Sequence, residues 1–175
     1  QVLTRIDADL SQSADVFRTA ETIAAQGGAD VLVNNAGFTA PNSIFEASFA
    51  ELEKTISVNL FAPFILIQDL LRRGNRFSHI VNIASTAGIT GRAGWSTYSA
   101  SKAALIAFSE SLREELSPLG TRVVCVSPGR CATDLRKVLA PEEDPATIMQ
   151  PESVAAAVAF LVSDAGRYMD SDNIV

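Results

Sequence analysis

Short apolar runs alternate with longer helical patterns along this chain. Residues 31–33 and 123–126 are apolar throughout, and residues 79–85 are apolar at most positions. Such runs are typical of strands that are buried on both faces of a parallel sheet. Between them lie stretches with the periodicity of helices. The pattern therefore predicts an α/β protein in which helices cover both faces of a parallel sheet.

The predicted helices fill the intervals between these strands. They span about residues 14–25, 49–71 and 97–116, and a last helix starts at Pro151. Residues 1–7 have a strand-like pattern, which predicts a βαβ unit from the start of the chain, and residues 173–175 begin a further strand. The length suits one globular domain over residues 1–175.

The helix predicted over residues 49–71 is apolar on nearly every side. Pro63 lies inside it, and proline has no amide to donate to the carbonyl four residues earlier, that of Asn59. That carbonyl could hold a water molecule, or Pro63 could be no more than a tolerated kink. The helix over residues 97–116 also has a wide apolar surface, so the two helices predict a symmetric subunit interface.

Composition argues against several classes of protein. The 175 residues are 47% hydrophobic, carry a formal net charge of −6, and show no basic patch for nucleic acid. The longest apolar run, residues 60–67, is shorter than the ~20 residues that span a bilayer, and we expect neither a membrane span nor a signal peptide. Cys125 and Cys131 lack metal-ligand spacing, which predicts reduced thiols in a cytoplasmic protein and no metal site.

One short stretch suggests chemistry. Tyr98 and Lys102 are four residues apart, so on a helix their side chains lie on the same face. A neighbouring cation stabilises a phenolate, and we expect Lys102 to lower the pKa of Tyr98 and make it a general acid and base. Ser85, at a predicted strand end, can donate a hydrogen bond to a substrate oxygen. Each feature alone also occurs on ordinary surfaces, and the interpretation depends on their combination.

Four motifs follow one another along the chain: Asn34-Asn35-Ala36-Gly37, Asn59, Ser85, and Tyr98 with Lys102. In this order they resemble the short-chain dehydrogenase/reductase family, and the resemblance covers nearly the whole chain. It implies a Rossmann-type, doubly wound parallel sheet in three α/β/α layers. It also implies an enzyme that transfers a hydride between NAD or NADP and a small alcohol or carbonyl substrate, and that assembles as a homodimer or homotetramer.

The resemblance assigns roles to individual residues. Tyr98 would exchange the proton, Ser85 would orient and stabilise the reacting oxygen, and Lys102 would lower the tyrosine pKa. Asn59 would hold a water that continues a proton relay from Lys102 to solvent. The implied cofactor contacts are Asp9, Leu10, Asn34, Ala36, Gly37, Tyr98, Lys102, Pro128, Gly129, Cys131 and Thr133. Judged by residue type alone, Asp9 could equally begin a turn before a helix.

The segment after Thr133 would be a mobile substrate loop over residues 134–149, and its shortness favours a small substrate. Arg130, Arg136 and Lys137 could meet an anionic group, although exposed loop cations are more often only solvated. Trp95, three residues before Tyr98, could face the substrate or simply pack against the protein.

The family's glycine-rich phosphate loop is not found in these residues. We therefore expect a partial NAD(P)-binding domain that lacks the N-terminal glycine-rich βαβ portion and the end of the last strand. Two alternatives stay open. The first is a non-catalytic NAD(P)-binding scaffold or sensor, against which the complete catalytic set argues. The second is a nucleotide-sugar epimerase or dehydratase, which the short substrate loop and the motif at residues 34–37 disfavour.

Overall fold

The computed structural model describes residues 4–169 and 173–175. Its strands form one parallel sheet in the order β1-β2-β3-β4. They are β1 (Val31–Asn34), β2 (His79–Ile83), β3 (Arg122–Val126) and β4 (Asn173–Ile174). Because the strands are parallel, their carboxyl ends meet at one edge of the sheet. The predicted sheet is confirmed.

The helices of the described residues match the predicted intervals, except that the helix Asp134–Leu139 lies in the segment predicted to be a loop. They are α1 (Ser13–Ala25), α2 (Phe49–Ile56), α3 (Ala62–Arg72), α4 (Ser96–Leu116), α5 (Asp134–Leu139) and α6 (Pro151–Leu161). Short 3₁₀ turns lie at Thr86–Gly88, Ser117–Leu119, Pro145–Thr147 and Asp164–Gly166.

Alternate residues of the central strands face opposite helical layers. Ile80 and Val123 belong to the core cluster that α1, α3 and α4 complete on one face. Val81 and Val124 pack on the other face with Leu161 of α6. Helices thus cover both faces of the sheet, and the predicted doubly wound architecture is confirmed.

Three strand predictions need correction. Residues 4–7 have no regular structure, so the predicted first strand is wrong there, while residues 1–3 lie outside the described residues. Val33 is 42% exposed, because β1 has one neighbouring strand in the described sheet. β2 ends at Ile83, and Ser85 instead caps the turn at Thr86–Gly88.

The long helix is continuous, but its middle is not α-helical. The turn Ser57–Phe61 is a π-helix, and the amide of Ala62 donates to the carbonyl of Ser57, five residues earlier. Pro63 follows directly in α3. In a regular helix its ring would clash with the carbonyl four residues earlier, and the wider π-helical turn accommodates that ring.

By length and composition alone, the 24 residues Phe49–Arg72 could cross a membrane. Within this fold their apolar side chains have protein partners: Leu66, Ile67 and Leu70 are buried against α1 and the sheet. The opposite side is not covered by the residues that the structure describes, because Phe61 is 51% and Phe64 42% exposed.

Candidate active site

A large pocket opens at the carboxyl ends of the strands. Its volume is about 810 Å³, and its walls come from the loops after β1, β2 and β3 and from α4, α5 and α6. Parallel sheets bind ligands at this edge. The predicted site residues that line it are Ala36, Gly37, Ser85, Tyr98, Lys102, Pro128, Gly129, Cys131 and Thr133.

Tyr98 and Ser85 lie close together in this pocket. Tyr98 is only 6% exposed, and its burial raises the pKa of the phenol, while the nearby Ser85 hydroxyl and the charge of Arg136 oppose that rise. The Ser85 Oγ also accepts a hydrogen bond of 3.1 Å from the amide of Ala87. The prediction of a lowered tyrosine pKa is wrong for this structure, because desolvation outweighs the favourable contacts.

Lys102 is buried below the tyrosine. Its Nζ donates to the carbonyl oxygen of Ile83 at 2.8 Å and lies 5.9 Å from the centroid of the Tyr98 ring. Burial lowers the pKa of Lys102 to about 8. The predicted convergence of the two side chains is present, but the ammonium is committed to a backbone carbonyl at the end of β2.

Gly88 sets how closely the Ser85 turn approaches α4. A Cβ at Gly88 would lie 2.7 Å from the carbonyl carbon of Lys102 and 2.8 Å from the amide of Ala103. Only glycine therefore allows this turn to pack directly on the helix backbone beside Lys102. The position of Gly88, three residues after Ser85 and before α4, is the sequence signal that could identify it.

Asn59 joins the loop after β1 to α4. Its Oδ1 accepts from the amide of Phe38 at 2.8 Å, and its Nδ2 donates to the Phe38 carbonyl and to the Ser101 Oγ, both at 2.9 Å. Ser101 in turn donates to the carbonyl of Tyr98 at 2.7 Å. Asn59 is 1% exposed, so its side chain acts inside the protein and does not line the pocket.

Asn34 also points into the protein. Its Nδ2 donates to the Oδ1 of Asn82 at 2.8 Å, and Asn82 continues the chain of bonds to Ser109 at 2.9 Å. The neighbouring Asn35 lines the pocket instead. The Asn34 side chain is therefore not available for the predicted cofactor contact, and Asn35 faces the pocket because side chains alternate along a strand.

Asp9 and Leu10 lie away from this pocket. The Asp9 Oδ1 accepts hydrogen bonds from the amide and hydroxyl of Ser11, at 2.9 and 2.8 Å, in the turn that precedes α1. Leu10 packs against the core and lines a smaller cavity beside Phe61. The structure thus shows the turn that the residue type of Asp9 allowed, and it does not bring either residue to Tyr98.

The predicted substrate loop is folded over the pocket. The Thr133 Oγ1 accepts from the amide of Arg136 at 3.2 Å and caps α5. A backbone bridge between Cys131 and Met149 closes the base of the segment. Both cysteines are free thiols, and burial raises the pKa of Cys131.

The loop cations are paired with carboxylates. Arg136 donates to both oxygens of Glu143, at 2.6 and 2.9 Å, and Arg130 donates to the same carboxylate at 3.0 Å. Lys137 pairs with Asp134 at 2.8 Å. The expectation of merely solvated side chains is therefore wrong for Arg136, which is largely buried.

The doubly wound sheet with a pocket at its carboxyl edge defines a Rossmann-type α/β protein. The family model for short chain dehydrogenase matches residues 2–144, and the chain belongs to this family. A 3-oxoacyl-[acyl-carrier-protein] reductase FabG of Aquifex aeolicus is 38% identical over 84% of this chain and 63% of its own length. The FabG of Escherichia coli is 32% identical over 95% of this chain and 72% of its own length. The chain spans somewhat less than two thirds of the first of these relatives.

Solved structures show the same fold. 4-Hydroxyisoleucine dehydrogenase complexed with NADH superposes with a TM-score of 0.84 at 27% identity, over 95% of this chain and 74% of that one. A short chain dehydrogenase from Burkholderia cenocepacia in complex with NADP also gives a TM-score of 0.84, at 30% identity, over 97% of this chain and 72% of that one.

Proposed function

We propose that this chain carries the catalytic groups of an NAD(P)-dependent oxidoreductase acting on a small alcohol or carbonyl substrate. The hydroxyl groups of Ser85 and Tyr98, which lie close together in a pocket that Lys102 also lines, support this proposal most directly. The FabG relatives, which are reductases, and the structural neighbours complexed with NADH or NADP support the reaction type.

The pocket suits a dinucleotide bound across the strand ends. Asn35, Ala36 and Gly37 form the wall after β1, while Gly129 and Thr133 belong to the wall after β3. A Cβ at Gly129 would have no heavy atom within 4 Å, so this wall leaves open space beside the backbone. These walls, with Pro128 and Cys131, would hold the nicotinamide part of NAD or NADP, which supplies or accepts the hydride when bound.

The side chains would manage the proton of the reaction. The raised pKa keeps Tyr98 a neutral phenol, which suits it to donate its proton to the oxygen of a carbonyl that is being reduced. The Ser85 hydroxyl would hold that oxygen beside the phenol. Lys102, with a pKa near 8, can exchange a proton close to neutral pH and thereby restore the tyrosine. We assign Asn59 to the relay beyond Lys102, where it also fixes the loop at Phe38.

Conversion of Tyr98 to Phe tests this assignment in the full gene product. Loss of a general acid should lower turnover by about 10²–10⁴-fold, whereas nicotinamide fluorescence should still report binding of NADH or NADPH. The matched control is Tyr168→Phe at the other tyrosine of the chain, which is 82% exposed and should retain activity. Undiminished turnover of Tyr98→Phe would remove the tyrosine from the mechanism.

The two alternatives are not favoured. A scaffold or sensor has no use for the Ser85–Tyr98 pair, and the matching proteins above are reductases and dehydrogenases rather than sugar epimerases. If the full protein bound NADH and NADPH but turned over no alcohol or carbonyl compound, the sensor hypothesis would replace ours.

We further propose a homodimer or homotetramer in the cytoplasm. The exposed rings of Phe61 and Phe64 support an interface along α3, where Phe64 also packs against Phe108 of α4 with the rings tilted and their centroids 5.8 Å apart. The two free thiols support a reducing compartment.

A further inference from the structure

The pocket concentrates positive charge in a chain whose net charge is −6. Its lining includes Arg92, Lys102, Arg130 and Arg136, whereas no Asp or Glu among the described residues lines it. A cavity whose walls carry one sign of charge attracts ligands of the opposite sign. The distribution therefore indicates a ligand with at least one negative charge.

Two of these arginines flank one aromatic ring. The Cζ atoms of Arg92 and Arg136 each lie 5.6 Å from the centroid of Trp95, within the range of cation–π contacts. Such a contact orients a guanidinium group and leaves its N–H groups available for a ligand. Trp95 is three residues before Tyr98, so this arrangement belongs to the part of the pocket that carries the reacting hydroxyl groups.

The two arginines differ in what they already bind. Arg136 gives two of its N–H groups to Glu143, which also pairs with Arg130. Glu143 therefore offsets one of these two positive charges and holds Arg136 in place. Within residues 4–169 and 173–175, Arg92 has no carboxylate partner, and it is exposed at the pocket. Its N–H donors are therefore open to a ligand.

We propose that Arg92 and Arg136 bind the carboxylate of the substrate, so that the preferred substrates are short oxo acids or the corresponding hydroxy acids. This inference rests on the proposed function for the reaction at the carbonyl group, but carboxylate binding itself needs no turnover. The planar guanidinium groups suit a carboxylate because they can offer paired N–H donors. The influence of Arg136 on the pKa of Tyr98 supports the closeness of this arginine to the reacting oxygen.

The only tryptophan of the chain provides a direct probe, because the ring of Trp95 is close to both arginines. In the full gene product, the part of the tryptophan fluorescence that Trp95→Phe removes is followed during titration with levulinate and, separately, with its methyl ester. Levulinate should give a saturable change, and the uncharged ester should bind at least about tenfold more weakly. Arg92→Gln should weaken levulinate binding by about the same factor. Arg76→Gln, at an exposed arginine outside the pocket, should leave it unchanged.

A phosphate group of the cofactor is the other possible anion. A second titration distinguishes phosphate binding from carboxylate binding. Adenosine 2′-monophosphate is titrated against adenosine with the wild type and Arg92→Gln. If Arg92→Gln weakens nucleotide binding but not levulinate binding, the arginine serves the cofactor and the proposal is overturned. Equal binding of levulinate and its ester, or no response to either, also overturns it. Reduction of methyl levulinate with NADH or NADPH tests the proposed function independently of these binding results.

Discussion

Lys102 is held as a cation in an environment that does not favour a charge. It is 3% exposed, its Nζ has one hydrogen bond, to the Ile83 carbonyl, and its pKa falls from 10.5 to about 8. Desolvation of a charged group raises its free energy unless enough partners replace water. The fold therefore keeps a destabilising group at the centre of its pocket, which is typical of residues retained for chemistry.

This burial predicts a particular pH dependence of stability. Between pH 8 and 10.5 the folded protein loses the Lys102 proton before the unfolded chain does, so the unfolded state binds more protons and stability rises with pH. Relative to Lys102→Met, the wild type should gain about 3 kcal/mol of unfolding free energy over that interval. Urea denaturation at a series of pH values measures the difference.

Lys137→Met is the control for that experiment, because its side chain is 71% exposed and the substitution removes a lysine without emptying a buried site. If the wild type and Lys102→Met kept a constant difference in unfolding free energy from pH 7 to 11, Lys102 would not be the desolvated cation described above.

The sequence predicted which residues meet in the pocket, but it did not predict the hydrogen-bond partners of Asn34 and Asn59. The spacing of Tyr98, Lys102 and Ser85 along predicted elements was enough to bring them to one pocket. The orientation of Asn34 was missed, because strand alternation could have assigned either Asn34 or Asn35 to the pocket. The Asn59 bonds to Phe38 join residues 21 positions apart, and no local pattern specifies such a contact.

At the scale of elements, the turn Thr86–Gly88 and α4 act as one unit. The missing side chain of Gly88 lets the turn touch the α4 backbone at Lys102, and Ser85 caps that same turn. The distance between the hydroxyl of Ser85 and the phenol of Tyr98 thus depends on how closely two backbone segments pack. Core sites of this kind tolerate added atoms poorly.

Gly88→Ala should separate the turn from α4, since its Cβ would meet backbone atoms at 2.7 to 2.9 Å. We expect a loss of about 1–3 kcal/mol in the free energy of unfolding and a marked fall in turnover with little change in cofactor binding. The urea midpoint and single-substrate kinetics measure the two effects.

Gly91→Ala is the matched control in the same loop. A Cβ there has no heavy atom within 4 Å, and its φ is not in the positive region, so stability should stay unchanged or rise slightly. Equal behaviour of the two variants would show that the contact of Gly88 with α4 does not position Ser85.

For the long helix, the sequence predicts the first and last residues closely but not the hydrogen-bond pattern inside. Its limits, 49 to 71 by pattern and Phe49–Arg72 in the structure, agree closely. Periodicity could not predict its π-helical turn. A hydrophobic pattern indicates which residues face the core, but it does not indicate which carbonyl accepts the hydrogen bond of each amide. Pro63 indicated an irregularity in the helix, but the irregular turn lies before Pro63, at Ser57–Phe61.

At the scale of the whole molecule, apolar surface is unevenly distributed. α3 buries Leu66, Ile67 and Leu70 on one side while leaving Phe64 on the other, and Phe61 of the preceding π turn is also open to solvent. Scattered exposed rings are common on protein surfaces, but adjacent rings on a helix that neighbours α4 fit a subunit interface better. The hydrophobic pattern of the sequence predicts this apolar surface. We propose that a second copy of the chain covers it.

Phe61→Glu tests that proposal. A charge in the middle of a self-complementary interface appears twice across a two-fold axis, so repulsion and desolvation should dissociate the dimer, or reduce a tetramer to a smaller assembly. Sedimentation equilibrium measures the mass, and circular dichroism confirms that each variant is folded. Phe17→Glu on α1, where the ring is 45% exposed, is the control and should keep the wild-type mass. A monomeric wild type, or a Phe61→Glu variant with the wild-type mass, would show that subunits do not associate through this face.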